Sequence, residues 1–396
     1  MRLLLLAPFA PRTDARHGGA RAIAAAVLAL GARHELGLVH LADPDGVDAP
    51  VRDAAAFVEA LPAPDALAAP RRSRLRVYAA LASGLPVAVA ERVTPAVVAR
   101  LRGVVETWRP ELVQAEFLAT AALLPALAGH EAPCVLVDHD ASLRPLEAFD
   151  RLPSPLARGL RAVDARAWRS FEGRVAGSVD VAVVFTERDR AACEAAGFGD
   201  VRVVPLVVPW RGRPLDPVGT SPPTLLFVGY YRHPPNADAA RWLVDEIFPR
   251  VRAACPDARL VLAGGELPPD IAARAGDGVE LPGAVTDLEA LLERAAVVVA
   301  PLRTGGGARV KVLEALGAGK AVVATPRAVE GIDAGAVLRV ASSAQELARE
   351  IAALLGDPEQ RGRLGTAAYA WAAAELDGRR TADRYGEIYA DVRSRG

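Results

Sequence analysis

Short apolar runs without polar alternation recur along the 396-residue chain, separated by longer amphipathic or Ala-rich stretches. Such runs are the mark of strands buried on both faces, and their alternation with helix-length segments predicts parallel sheets covered by helices. In the first half the predicted strands are Arg2–Pro8, Glu35–Leu41, Leu112–Glu116, Cys134–Asp138, Val181–Phe185 and Val201–Val207. Helical patterns cover an Ala-rich stretch ending near Ala32, then Asp53–Leu61, Arg72–Ser83, Pro95–Trp108, Leu118–Ala128 and Leu156–Arg174. A further helix begins at Thr186, whose spacing to Asp189 resembles a capping box.

The region Pro209–Pro223 carries five prolines and little periodicity, a linker composition, and the same rhythm restarts after it. Strands are expected at Thr224–Val228, Arg259–Ala263, Val279–Leu281, Val297–Leu302, Ala321–Ala324 and Val337–Val340. Helices are expected near Ala237–Ala254, Asp270–Ala275, Leu288–Ala295, Ala308–Ala318, Ala344–Leu355 (capped by Ser343 and Glu346) and from Pro358 onward. The fold class is therefore α/β, with two Rossmann-like doubly wound domains facing across a cleft. The first covers 1–208 and the second 224–375, joined by the 209–223 linker. Residues 376–396 are expected to form a last helix. Ligands are expected at the carboxyl ends of strands.

One stretch concentrates candidate chemistry. After the strand Val297–Leu302 come Gly305, Gly306 and Gly307, then a helix closed by Gly317 and Gly319, then a second buried strand. A helix N-terminus after a Gly-rich loop offers free N–H groups and a positive dipole end to an anion. Lys311 and Glu314 share one flank of that helix. Lys311 and Lys320 are the chain's two lysines in an otherwise arginine-based cation set, which suggests a point charge with a purpose. A nucleotide fits, with Lys311 on phosphate and Glu314 accepting from paired ribose hydroxyls. The plain alternative is an intrahelical ion pair over a glycine turn.

Composition narrows the class. A net charge of −1 gives no electrostatic footprint for nucleic acid. No apolar run reaches the ~18–20 residues that span a bilayer, and Pro8 interrupts the N-terminal MRLLLLAPFAP, which reads as a strand. Cys134, Cys193 and Cys255 show neither metal spacing nor a disulfide framework, and a reducing cytoplasm is the simplest home.

The segments FVGYYRHPPNADAARWLVDEIFP (227–249), LPGAVTDLEALLERAAVVVAPLR (281–303) and GGGARVKVLEALGAGKAVVATPRAVEGI (305–332) occur in order. They resemble the donor-binding half of GT-B glycosyltransferases of the retaining group 1/family 4 class. In the first half the resemblance rests on the Gly18-Gly19 loop and on Asp138-His139-Asp140. It implies transfer of a sugar from a nucleotide-sugar donor to an acceptor with retention, without a bound metal or other cofactor. The departing diphosphate would be stabilised by cations and helix N-termini. Glu314 matches the family's ribose-binding glutamate, Gly306 and Gly307 match the loop at donor sugar and diphosphate, and Lys311 and Arg309 are the phosphate cations. Gly229, Arg232, Gly305 and Val312 complete the donor set, with Gly18 and Gly19 at the diphosphate or acceptor. Many members carry a second, earlier glutamate, with seven residues lying between the two. Here Gly306 takes its place, so sugar identity is not transferred.

His139 closes a buried strand, where it can bond a donor-sugar hydroxyl or move a proton. Asp138 and Asp140 formally make D-x-D, a metal signature of another glycosyltransferase fold, but the parallel-strand context supplies no other ligands. His17 and His233 fall in candidate cleft loops. Arg71, Arg72, Arg74 and Arg76 before the apolar Val77–Ala82, and Arg158, Arg161, Arg166 and Arg169, fit either a solvated face or an anionic membrane surface. Trp168, Trp371 and Tyr385 read as packing. The acceptor stays open among a glycan, a lipid-linked glycan and a small molecule, with a peripheral place at the inner membrane face left open. The alternatives are a nucleotide-sugar 2-epimerase on the same fold and a catalytically silent sugar-nucleotide-binding protein.

Overall fold

The computed structural model describes residues 1–15, 17–41, 43, 45–62, 84–90, 92–127, 129–141, 155–208, 212–285, 287–305 and 309–395. Of the sequence-derived candidates, Gly306, Gly307, the arginines at 71, 72, 74 and 76, and the Arg72–Ser83 helix lie outside those residues, as do the side chains of Arg158 and Arg161. The contacts divide the chain into two compact units. Unit 1 comprises Met1–Arg12, Ala26–Pro205 and Ala382–Gly396; unit 2 comprises Thr13–Ala25 and Leu206–Thr381.

Unit 1 is built on seven strands: β1 Arg2–Ala7, β2 Glu35–Leu41, β3 Phe57–Leu61, β4 Leu112–Glu116, β5 Cys134–Val137, β6 Val181–Val184 and β7 Val201–Val203. They form one sheet in the order β3-β2-β1-β4-β5-β6-β7, every pairing parallel. The apolar runs behave as read: Leu3, Leu4 and Leu5 are fully buried and Leu6 is nearly so, as a strand between two helical layers requires. Unit 2 carries β8 Thr224–Val228, β9 Arg259–Ala263, β10 Val279–Gly283, β11 Ala295–Ala300, β12 Val322–Ala324 and β13 Arg339–Val340. Their order is β10-β9-β8-β11-β12-β13, again parallel throughout. Each sheet is thus doubly wound, with a switch point between β1 and β4 in one and between β8 and β11 in the other.

Three expectations need correction. Asp53–Leu61 is a short helix, Ala49–Ala54, followed by strand β3. Phe57 and Leu61 sit at helical spacing, but Gly37 to Leu41 of β2 offer a complete parallel ladder to Phe57–Leu61, and edge pairing overrides the local pattern. Leu118–Leu127 winds as a 3-10 helix containing Pro125, which lacks the N–H an α-helix needs there. The expected Ala237–Ala254 helix divides into Pro234–Trp242, a π turn Leu243–Ile247 and Phe248–Ala254. The Phe248 N–H reaches back to the Leu243 carbonyl immediately before Pro249, whose ring cannot donate in turn. Ser343 and Glu346 do form a reciprocal capping box, and Thr186 accepts the Asp189 N–H.

Candidate donor site and a buried histidine

The switch point of unit 2 brings together two loops far apart in sequence. One leaves β8 at Gly229 and the other leaves β11 through Gly305 toward the helix Val310–Gly317. No side chain caps that helix. Its first backbone bonds run from the Val312 and Leu313 N–H groups to the Arg309 carbonyl, at 2.9 and 3.2 Å, so the dipole end opens at residues 309–311.

Lys311 and Glu314 do not pair with each other. Lys311 donates to Asn236 Oδ1 at 2.6 Å, and its ammonium lies 4.5 Å from the centre of the Phe227 ring. Asn236 is held by its other end, Nδ2 donating to the Tyr230 carbonyl at 2.9 Å. Lys311 is half-buried as a residue. Burial first, then the cations Arg309 and Arg21, push its pKa down to about 7, with Glu314 opposing. Gly229 makes room for this arrangement, since a Cβ there would stand 3.1 Å from Asn236 Cβ and Cγ.

Glu314, 9 % exposed, is gripped by Arg21: Nε to Oε1 is 2.5 Å and Nη2 to Oε2 is 3.0 Å, a two-pronged ion pair. Arg21 lies in the helix Gly18–Gly31, on the part that belongs to unit 2, and its Nη1 also reaches the Ala15 carbonyl at 2.5 Å. Gly18 comes against Val310 so closely that a Cβ would lie 3.0 Å from the valine Cβ. Gly19 follows it in the same helical turn. His17 accepts the Ala20 N–H through Nδ1 at 3.3 Å, serving that helix start. Arg309 is buried, its Nε donating to the Arg327 carbonyl at 3.0 Å and its Nη2 to that of Gly305 at 3.4 Å. His233, beside these cations, is held neutral: burial, Lys311 and Arg309 push it down to about 4. Arg232 points into solvent, and Val312 is fully buried in the hydrophobic core, where it anchors the helix rather than lining its tip. Lys320 is a structural lysine, buried and donating to the carbonyls of Asp216 and Glu293.

His139 lies in unit 1, after β5. Its Nε2 is 2.7 Å from Glu116 Oε2, with the two side chains 4 % and 1 % exposed. Phe117 stacks on the imidazole at 4.1 Å and Phe185 meets it edge-on at 4.9 Å. The Asp140 N–H turns back to Asp138 Oδ1 at 3.3 Å. Among the described residues no group of three or more His, Cys, Asp or Glu side chains is placed to hold a metal ion. Likewise, no helix among them is long and apolar enough to cross a membrane.

Sequence reasoning missed Arg21, Asn236 and Glu116. Glu116 was the most accessible of the three, a carboxylate ending an otherwise uncharged buried strand. Arg21 and Asn236 become partners of Glu314 and Lys311 only through the tertiary fold.

Two doubly wound parallel sheets of this order are those of the GT-B fold. Residues 222–357 match the family Glycosyl transferases group 1. No curated protein matches the chain by sequence. Among solved structures, sucrose-phosphate synthase from Thermosynechococcus elongatus superposes with a TM-score of 0.68 at 17 % identity, covering 100 % of both chains. HepE from Anabaena, in complex with UDP and glucose, gives 0.65 at 15 % identity over 98 % of this chain and 99 % of its own. A UDP-N-acetylglucosamine 2-epimerase homologue from Listeria monocytogenes gives 0.55 at 16 % identity over 97 % and 95 %. The chain has the GT-B fold, and the stretch that matches the group 1 family lies within its second unit.

Proposed function

We propose that the protein is a retaining glycosyltransferase that moves a sugar from a nucleotide-sugar donor to an acceptor hydroxyl without a metal. The observation that carries this reading is the tip of the Val310–Gly317 helix. It joins a packed ammonium and a buried carboxylate on a helix whose start carries no side-chain cap, inside the stretch that matches the group 1 family. Each carboxylate oxygen of Glu314 keeps a lone pair beyond its bond to Arg21, so both stay able to accept from ribose hydroxyls. Lys311 and Arg309 would neutralise the diphosphate, with Gly305, Gly306 and Gly307 letting the backbone approach. Charge grows on that diphosphate as the bond to the anomeric carbon breaks, and a preset cation lowers the barrier most at that point. His139 would accept a hydrogen bond from a hydroxyl of the transferred sugar. HepE binds UDP-glucose in a related fold, which supports a nucleotide sugar as donor. Three free cysteines fit a reducing compartment.

Glu314→Ala and Lys311→Ala should each weaken donor binding or turnover by about 10- to 100-fold, the worth of a hydrogen bond to a charged group. Thermal shift against a panel of nucleoside diphosphates and nucleotide sugars is the first measurement. Wild-type response in both variants would remove the site assignment. Chelator treatment should leave activity intact; its abolition would give Asp138 and Asp140 a metal role. The full-length likeness to an epimerase structure supports a second reading, 2-epimerisation of the nucleotide sugar. Release of an epimerised sugar nucleotide without acceptor would select it. Binding with neither transfer nor donor hydrolysis would identify a silent binding protein.

A further inference from the structure

Unit 1 contains a line of buried polar side chains of which the transferase reading uses only the last, His139. The Tyr389 hydroxyl donates to Gln114 Oε1, Gln114 Nε2 donates to Glu116 Oε1 at 2.6 Å, and Glu116 Oε2 meets His139 Nε2 at 2.7 Å. Tyr389 is 1 % exposed, Gln114 0 %, Glu116 1 % and His139 4 %, so water competes for none of these bonds. Gln114 and Glu116 stand two residues apart on β4 and therefore share one face of the sheet.

Chemistry sets the direction of every bond in the line. Burial, the neighbouring Tyr385 and the Glu116 charge push the Tyr389 phenol well above its ordinary pKa, so it keeps its proton and donates. The Gln114 amide must then turn its NH2 toward Glu116. The reverse orientation would set a carbonyl against a carboxylate. With the Gln114 NH2 on Oε1, Glu116 is held as an acceptor, so the hydrogen between its Oε2 and His139 belongs to Nε2. The other nitrogen, Nδ1, is buried and has no hydrogen-bond partner. Phe117 holds the ring flat, its plane 9° from the imidazole, and does so with a left-handed backbone at φ 66°. Bulky residues adopt that conformation only where the surroundings enforce it, and such strain gathers at functional sites.

We propose that Tyr389, on the last helix Gly378–Ser394, is a positioning residue. Through Gln114 and Glu116 it holds His139 in the Nε2–H tautomer, leaving Nδ1 as acceptor for a hydroxyl of the transferred sugar. The clause about the sugar rests on the transferase reading; the tautomer does not. In the Nε2–H tautomer Nδ1 is the one acceptor nitrogen of the ring, and the relay through Glu116 selects it.

The test uses the full chain with 15N-labelled histidine, His139→Asn serving to assign the ring. Wild-type protein should show His139 as the Nε2–H tautomer. Tyr389→Phe should mix the tautomers and lower kcat for UDP-glucose turnover about 10-fold, as loss of an outer hydrogen-bond partner of a functional histidine does elsewhere. KM for UDP-glucose should stay within about twofold, since the nucleotide site is in unit 2. Should Tyr389→Phe fail to fold, Gln114→Met severs the same line with its shape kept, and the same two readouts decide. An Nδ1–H tautomer in the wild type, or a variant that leaves the tautomer unchanged, overturns the proposal whatever happens to kcat. A protein that turns over no nucleotide sugar, yet shows the tautomer shift, defeats the transferase reading and upholds the relay.

Discussion

Lys311 shows how a binding residue can weigh against the fold that carries it. Its ammonium is packed beside two arginines, and its pKa of about 7 lies below the unfolded value of 10.5. Between those values the unfolded chain binds more protons than the native one, so stability rises with pH across that window. The penalty is fully present below about pH 7 and fades as pH climbs toward the unfolded value. Lys311→Met should therefore raise stability by about 1 kcal/mol at pH 6, as replacing an uncompensated buried charge often does, and gain nothing at pH 9.5. Urea midpoints at the two pH values check this, and an equal gain at both would refute the assigned cause. UDP binding should move the opposite way. Its affinity in the wild type should fall as pH rises above about 7, because the cation that meets the phosphate is being lost. In Lys311→Met that slope should flatten.

At the scale of elements, the Pro358–Glu375 helix makes one of its contacts with the rest of unit 2 at very close range. Gly365 lies so near the Gly319 turn that a Cβ would stand 2.2 Å from the Gly319 carbonyl oxygen and 2.5 Å from Pro217 Cβ. Gly362, one turn earlier, faces open space. Gly365→Ala should cost about 3 kcal/mol through overpacking. Gly362→Ala should stabilise by about 1 kcal/mol through helix propensity. Opposite shifts in melting temperature are the expected result, and equal effects would show that the helix does not pack as described. The same contrast explains what could be read from the chain. Strands such as β1 and β11 were legible because burial on both faces leaves an unbroken apolar run. The edge strand β3 was not, because its half-buried positions, with Ala60 exposed, carry no such run and its Phe57–Leu61 spacing imitates a helix. Lys311 and Glu314 announced themselves by residue type after a glycine loop. Their partners did not, because Asn236 and Arg21 have unremarkable neighbours and reach the site only when distant loops meet.

For the molecule as a whole, one long-range polar link within unit 2 joins the start of the chain to its candidate donor site. Arg21 and Glu314 are separated by 293 positions, and the segment Thr13–Ala25 belongs to the same unit as Leu206–Thr381. The second unit is therefore not completed by the second half of the sequence alone. Closing so long a loop is entropically expensive, and a buried two-pronged ion pair favours one arrangement of the segment over many. Removing either partner leaves a charge with little access to water, whereas removing both leaves an apolar contact. Arg21→Met and Glu314→Leu should each destabilise the full chain by about 3 kcal/mol, while the double variant should return to within about 1 kcal/mol of wild type. Chemical denaturation of the four proteins gives the coupling directly. Additive losses would mean that the pair does not hold the segment, and Glu314 would then be free to serve a ribose without Arg21. Strong coupling with UDP binding lost in the double variant and kept in Arg21→Met would separate the two duties of Glu314, anchoring the chain and receiving the nucleotide.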